Sequence, residues 1–463
     1  MIELQSPATL AMVRPGPRYT SYPPANRFTT SFGKAEAQAA LTRIPVDAPL
    51  SLYVHVPFCR SLCWYCGCNV VVSRNPARAE GFLETVTQEM VNLRGVLGSR
   101  RRVVDVALGG GSPNFLHPEA LTRLTTALRE NFEIADDAEL GVELDPRDTT
   151  REQVQTLAGL GFSRFSVGVQ DFAPEVQSLI NRTQTPEQTA HLISEARHAG
   201  FTTANIDLVY GLPGQTLDRF RKTLRHVLAI APDRIALFGY AHLPEQRPHQ
   251  KLVERGAPIP EIAERAQLLS AGLEMFEEAG YIRVGIDHFA LSSDGLARAA
   301  ASGNLQRNFQ GYAIKRSEVL LGIGPTAVSD TGDAYFQNEG ELDAWKQTVD
   351  AGALPVIRGV AVSPEDRLRR AVINDIMCYG KVRFADIEAR FPSVQFEQHF
   401  ALELLRLSDD EMRTLVRVGR ESRVVETTPL GAVLARNVAM VFDPSFINVE
   451  STPHSRPKHA PSL

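Results

Sequence analysis

The sequence predicts an α/β protein, a partial (β/α)6 barrel of the TIM type with an N-terminal arm and a mostly helical C-terminal domain. Three observations point there. From Leu52 onward, short β-branched or apolar runs recur. Each is followed by polar or glycine residues and then by a stretch of helical period. Strict alternation of this kind implies a parallel sheet with right-handed crossovers, and 463 residues suffice to wrap such a sheet around a large core.

Taken in order, residues 1–50 are rich in proline, arginine and tyrosine before a short amphipathic stretch, and read as an arm laid over another domain. The barrel with its extension occupies 51–360. Strands are expected at Leu52–Val56, Val103–Leu108, Leu140–Leu144, Arg164–Val169, Thr203–Val209 and Arg234–Phe238. Helices are expected at Ala79–Leu93, Pro118–Asn131, Thr150–Leu160, Pro186–Ala199 and Leu217–Ile230. Pro118 and Pro186 suit a first helical turn, where a missing N–H costs nothing, and Gly161 and Gly200 suit the position just past a helix end. After about residue 250 the pattern reads as mostly helical, with Pro260–Ala279 the longest run. Residues 361–449 read as a compact, winged-helix-like helical domain whose strand pair, Thr414–Val418 and Ser422–Glu426, flanks Gly419-Arg420-Glu421. The polar, proline-bearing tail 450–463 is expected to be disordered.

A composition of 43% hydrophobic and 22% charged residues is that of an ordinary globular chain, and a net charge of −5 leaves no footprint for nucleic acid, so any anion site must be local. No basic segment precedes an apolar run at the N-terminus, and no stretch approaches about 18 apolar residues. A cytoplasmic location without membrane insertion is therefore expected. Four of the five cysteines fall between Cys59 and Cys68, a distribution suited to metal binding in a reducing compartment rather than to disulfides. Cys378, inside an apolar helical run, reads as a small core residue.

The densest chemistry is Cys59-Arg-Ser-Leu-Cys63-Trp-Tyr-Cys66-Gly-Cys68, directly after the first strand. Three closely spaced thiolates can hold three irons of a [4Fe–4S] cluster and leave the fourth iron without a protein ligand. Zinc on all four cysteines is the alternative, but a closed zinc site pairs two separated ligand couples, and there is no second couple here. Gly109-Gly-Gly-Ser-Pro113 follows the second strand; glycines there let the backbone approach a ligand and present amides and carbonyls to a zwitterion. Glu143, at the end of the third strand, can accept hydrogen bonds from a ribose or an ammonium group. Gln170, Arg182, Asp207 and Ala241 stand at or just after further strand ends. Each is a candidate pocket residue or, equally, a structural hydrogen-bonding group.

A C-x3-C-x2-C loop after a barrel's first strand resembles the radical S-adenosylmethionine superfamily, whose open iron is chelated by that cosubstrate. The resemblance narrows on Arg18-Tyr-Thr-Ser-Tyr-Pro23, Cys66-Gly-Cys68-Asn69, Gly168-Val-Gln-Asp-Phe172, Tyr210-Gly-Leu-Pro213, Tyr240-Ala-His-Leu-Pro244, Asp287-His-Phe-Ala290 and Arg307-Asn-Phe-Gln-Gly-Tyr312. These look like the oxygen-independent coproporphyrinogen III oxidase family, over most of residues 14–445.

The resemblance implies a cluster on Cys59, Cys63 and Cys66, with Cys68 part of the pattern but not a ligand. It implies two S-adenosylmethionines: the first beside Tyr53, Tyr65, Gly110, Glu143 and Val328, with Tyr65 against the adenine, and the second beside Gly111, Ser112, Gln170, Arg182, Asp207 and Ala241. Tyr53, Glu143 and His55 stand closest to the implied catalysis, and His55 reads either as a proton relay or substrate contact or as a satisfied core residue. In the implied reaction, two propionates of coproporphyrinogen III become vinyl groups, giving protoporphyrinogen IX, with a flavodoxin- or ferredoxin-type electron donor and a monomeric enzyme. The arm and the C-terminal unit are implied to cover the barrel mouth. Arg18 and Arg307 are the candidates for pairing with propionates, because guanidinium meets carboxylate bidentately. Two departures stand out: Val328 lies in a segment after Gly324 where the family commonly shows isoleucine, and Ser112 replaces the usual threonine. A haem carrier on the same barrel and a radical methyltransferase or ring-opening enzyme acting on haem are the other readings. The Cys68-Asn69 extension and the Arg307–Tyr312 segment stand against the carrier.

Overall fold

The computed structural model describes residues 4–447, so the tail 450–463, expected to be disordered, lies outside the described residues. Six strands lie side by side and parallel in chain order: β1 (Leu50–Val56), β2 (Arg102–Gly110), β3 (Glu133–Leu144), β4 (Arg164–Gln170), β5 (Thr203–Tyr210) and β6 (Arg234–Gly239). Between them the chain returns through α1 (Ala77–Leu97), α2 (Pro118–Asn131), α3 (Arg151–Gly159), α4 (Pro186–Ala199) and α5 (Leu217–Ile230). Strand β1 is buried on both faces, Leu52, Val54 and Val56 as well as Ser51 and His55, as a central parallel strand must be.

The helix punctuation acts as expected. Thr150 and Thr185 accept from the backbone N–H of Gln153 and Gln188, whose side chains reach back to the two threonine amides. These reciprocal caps fix where α3 and α4 begin. Gly200 ends α4 with φ 113°, a conformation glycine adopts without strain. Strand β3 starts seven residues earlier than its apolar run, at Glu133 rather than Leu140. An irregularity in β2 between Val103 and Asp105 lets Glu133 and Ile134 pair with Arg102 and Val103 before the core register begins.

The reading of a mostly helical segment after residue 250 is corrected. Helix α6 (Ile262–Glu278) is present, but residues 281–361 hold eight strands and only two helices. A hairpin, Tyr281–Val284 and His288–Leu291, extends the sheet antiparallel beyond β6. Strand β7 (Val319–Ile323) joins the opposite flank of β1 in parallel, and three antiparallel strands, Val328–Asp330, Ala334–Asn338 and Val356–Ala361, follow it outward. The result is one twelve-stranded sheet whose two outermost strands do not pair with each other. These strands span three to six residues and carry glycine and polar residues, so they show no alternation long enough to register as strand.

The C-terminal unit holds α7 (Pro364–Tyr379), several short helices and a three-stranded antiparallel sheet, Lys381–Arg383, Val416–Gly419 and Val424–Thr427. The last two strands sit slightly later than the sequence suggested, and the first was not anticipated. Cys378 is buried among Val284, Ala290, Leu296 and Tyr312, a core position. The arm is held against this unit: Tyr19 donates to Asp443 at 3.1 Å, and Asn437 donates to the Met12 carbonyl at 2.6 Å.

One buried carboxylate ties the extension to the barrel. Glu89 of α1 accepts from the Gly324 amide (2.9 Å), the Trp345 indole (2.9 Å) and the Asn338 amide (2.7 Å). Burial pushes its pKa up to about 7 against the pull of those three donors. Replacing Glu89 with alanine strands the Gly324 amide and the Trp345 indole in the interior and leaves Asn338 only its bond to the Gly324 carbonyl, and the expected loss is about 3 kcal/mol or more. A lowered urea midpoint with an unchanged slope checks this.

Candidate active site

The cysteine loop is pinned at its neck and from across the barrel mouth. At the neck, Val71 donates to the Pro57 carbonyl (2.7 Å) and Ser73 to the Cys59 carbonyl (2.9 Å), closing the loop at the end of β1. From the far rim, Trp64 donates its amide to the Ile180 carbonyl (2.9 Å) and Asn181 donates to the Leu62 carbonyl (2.8 Å). Gln250 and His249 donate to the carbonyls of Tyr65 and Cys66, each at 2.8 Å. The loop therefore lies over the strands' C-terminal ends, where barrel chemistry sits.

All four cysteines of the loop are free thiols; Cys63 is buried, Cys59 and Cys66 half-buried, and Cys68 exposed. Two guanidinium groups reach the Cys63 sulfur, Arg182 at 3.5 Å and Arg147 at 3.6 Å. Both share Asp145, at 3.1 and 2.6 Å. Burial works to raise the pKa of Asp145, but Arg182 and Arg147 outweigh it and hold the carboxyl at about 2. Burial, then the charges of Cys66 and Cys63, pushes the Cys59 thiol up to about 12. Such a set accepts several negative charges only around a cation. Among the described residues no three Cys, His, Asp or Glu side chains converge on a single-ion site. Thiolates around a cubane each take a different iron and need not converge, so the donor set fits a [4Fe–4S] cluster better than a closed zinc site.

The glycine run closes against this loop. Gly111 donates to the Val56 carbonyl and Ser112 to the Phe58 carbonyl, both at 2.8 Å. A Cβ on Gly110, whose φ is 109°, would stand 2.5 Å from the His55 ring, and one on Gly111 would stand 2.6 Å from the Phe58 carbonyl oxygen. Beside them Glu143 accepts from the Gly110 amide at 3.2 Å. Burial first, then the charge of Asp207, pushes the Glu143 carboxyl up to about 7. Burial raises Asp207 as well, although Ser166 (2.8 Å) and Asn205 (2.7 Å) donate to it. Two buried carboxylates that oppose each other's ionisation mark a place that favours a cation.

His55 bridges two parts of the site. Its Nε2 lies 3.0 Å from the Asn69 carbonyl, which can only accept, so that nitrogen carries the proton. Nδ1, 3.2 Å away, then accepts from the Tyr53 hydroxyl. Burial lowers the pKa of His55, which keeps it neutral. Tyr53 pairs across the sheet with Gly322, and a Cβ on Gly322 would meet the Val328 backbone at 2.6 Å, so Val328 and Tyr53 adjoin.

On the other flank, the β4–β5 pairing slips between Gly168 and Gln170, and Gln170 takes φ 69°. This bulge turns the Gln170 amide over Gly168, next to Arg182. Arg182 donates to the Gly168 carbonyl through two nitrogens. Gln250 donates to the Ala241 carbonyl (3.2 Å) as well as to Tyr65, joining the two. The sequence reading missed Gln250, His249 and also Asn114, which accepts from the Ser112 hydroxyl (2.5 Å) and the Asp145 amide (3.1 Å). None of them carries a motif.

The pairing expected for Arg307 is corrected. Its guanidinium is buried, donates to the Arg18 carbonyl (3.0 Å), pairs with Asp287 (3.3 Å) and lies over the Tyr312 ring (4.5 Å). That charge is already matched. Arg18 donates to the Gly239 carbonyl at 3.2 Å and stays open to solvent.

The close approach at Gly110 carries a stability expectation. Gly110→Ala forces a methyl into the His55 ring at a left-handed position and is expected to cost about 2–4 kcal/mol. Gly98→Ala, also left-handed (φ 76°) but with open space around it, is expected to cost about 1 kcal/mol. Thermal denaturation of the two variants side by side checks the difference.

Comparison with known proteins places this geometry in context. The profile of the radical SAM superfamily matches residues 53–227. The oxygen-independent coproporphyrinogen III oxidase of Escherichia coli (strain K12) is 41% identical over 428 residues, covering 92% of each chain. That of Pseudomonas aeruginosa is 39% identical over 92% of this chain and 93% of its own. The solved structure of the E. coli coproporphyrinogen III oxidase, described as a radical SAM enzyme, matches with a TM-score of 0.88 and 39% identity, over 92% of this chain and 97% of that one.

Proposed function

The chain belongs to the oxygen-independent coproporphyrinogen III oxidases, oxidoreductases of the radical S-adenosylmethionine superfamily, and on that premise we propose which of its residues carry the oxidative decarboxylation of two propionates of coproporphyrinogen III to the vinyl groups of protoporphyrinogen IX. The observation that carries the assignment is the loop bearing Cys59, Cys63 and Cys66, pinned beside a glycine run at the strands' C-terminal ends. A haem carrier or a haem-processing methyltransferase is not favoured by these relatives.

Cys59, Cys63 and Cys66 would hold the cluster, and Cys68 would not. When bound, the cluster and S-adenosylmethionine supply a 5′-deoxyadenosyl radical that takes a hydrogen from a propionate side chain. The chain's own residues position and shield. Arg182 and Arg147 steady the thiolate of Cys63, and Tyr65 lies where the loop can press an aromatic face on a base. Glu143, ionised, accepts from an ammonium or ribose group, while the amides and carbonyls of Gly110, Gly111 and Ser112 meet the methionine end. His55 fixes the Tyr53 hydroxyl as a donor, so it acts on Tyr53 rather than as a proton relay. Tyr53, Tyr65, Gly110, Glu143 and Val328 line the first cosubstrate's position in this proposal. Gly111, Ser112, Gln170, Arg182, Asp207 and Ala241 line the second's.

The proposal includes a flavodoxin- or ferredoxin-type donor, a monomeric enzyme and a cytoplasmic location, which five free thiols suit. Among the described residues no helix is long and apolar enough to cross a membrane.

Three measurements test it. Anaerobically reconstituted protein given coproporphyrinogen III, S-adenosylmethionine and reductant is expected to yield protoporphyrinogen IX and 5′-deoxyadenosine. Tight haem binding without product would favour the carrier, and a methylated or opened tetrapyrrole the third reading. Changing Cys59, Cys63 or Cys66 singly to alanine is expected to abolish the brown cluster absorbance, and Cys68→Ala to keep it; a colourless Cys68→Ala protein overturns the ligand set. The third concerns pH. Glu143 is protonated below about 7, so affinity for the cationic cosubstrate is expected to strengthen as pH rises through that value. Glu143→Gln flattens this profile in equilibrium dialysis.

A further inference from the structure

Where the arm, the end of β6, the loop before His288 and the helix Ala435–Val441 meet, a cavity of about 50 Å³ is lined by Arg18, Tyr210, Gly239, Asp287 and Arg436 among others. Its charges do not balance. Arg307 takes Asp287 at 3.3 Å, while among the described residues the Arg18 side chain hydrogen-bonds only the neutral Gly239 carbonyl and shares the charge of Asp287 with Arg307. Arg265 gives one nitrogen to the Tyr240 carbonyl at 3.0 Å; its buried Nε meets no acceptor among the described residues, although the residue is only 6% exposed. The Tyr210 side chain stands among Arg265, Arg436 and Arg18. Arg436 is tied to the carbonyls of Gly16 and Pro17 and is left out of the count. Arg18 and Arg265 thus add positive charge beside a carboxylate that Arg307 already matches: Arg18 reaches the cavity from the exposed arm, and Arg265 is desolvated, so burial lowers its pKa. An interior arranged this way is stabilised by an anion.

The size restricts which anion. About 50 Å³ is room for a carboxylate but not for a macrocycle, so the group must arrive on a tether. Gly239 ends β6 two residues before Ala241, which places the cavity at the same rim as the candidate active site. Resting on the reading above, we propose that this cavity is a socket for a propionate of the tetrapyrrole that the enzyme retains, not one that it removes. Decarboxylation discharges the carboxylate, whereas clustered guanidinium groups stabilise its charged form. A group held there is stabilised in the ground state and its loss is disfavoured. The socket thus serves as an orienting anchor for the chemistry done elsewhere on the ring.

The experiment compares coproporphyrinogen III with an analogue whose two retained propionates are amides, using full-length reconstituted enzyme and the variants Arg18→Gln and Tyr210→Phe. Cluster absorbance in each variant confirms that the barrel is intact. Wild type is expected to show a KM roughly tenfold or more higher for the amide analogue. Arg18→Gln is expected to raise KM for the natural substrate by a similar factor with little change in kcat, and to lose discrimination between the two substrates. Tyr210→Phe, which preserves shape, is expected to weaken discrimination in the same direction and decides the matter if Arg18→Gln does not fold. Full discrimination retained in an active Arg18→Gln enzyme overturns the socket alone. A wild-type enzyme that forms no vinyl product overturns the underlying reading.

Discussion

The arrangement at the barrel mouth depends on one shared carboxylate. Asp145 holds Arg182 and Arg147 together, and the two guanidinium groups converge on the sulfur of Cys63. Neither arginine would stay in so enclosed a place without that counter-charge, since an uncompensated buried ion costs several kcal/mol. Arg182 also grips the Gly168 carbonyl just before the bulge that turns Gln170, so the same ion cluster links the cysteine loop to the fourth strand. Asn114 receives the Asp145 amide and the Ser112 hydroxyl, which carries the linkage to the glycine run.

Around this cluster, charges of both signs stand close together. The guanidinium groups support thiolates, and the charge of Arg182 also reaches Asp207. Glu143 and Asp207 are carboxylates that raise the cost of each other's ionisation. In the proposed reading, a cosubstrate carrying both a sulfonium and a carboxylate would meet complementary partners here, and the glycine amides would add donors without side-chain bulk.

What the sequence made legible follows from how local each signal is. Helices bounded by Pro118, Pro186 and Gly200 were read accurately because those residues act on their own backbone. The cysteine loop was legible through its spacing alone. Gln250, His249, Asn114 and Glu89 were not, since a lone polar residue acquires a role only from the distant carbonyl or amide that it meets. The strands between Tyr281 and Ala361 were hidden for a similar reason: their partners, and not their own alternation, make them strands. Arg307 looked available in the sequence only because Asp287, its counter-ion, is brought to it by the fold.

The position of β7 has a consequence for the order in which the molecule assembles. This strand is the parallel neighbour of β1, yet the ribosome delivers it after all the other parallel strands. Until then one backbone edge of β1 has no partner, and the residues leading into the cysteine loop border an unfinished sheet. Nascent chains therefore pass through a stage in which the cysteine loop has been made while the strand that leads into it still lacks one neighbour.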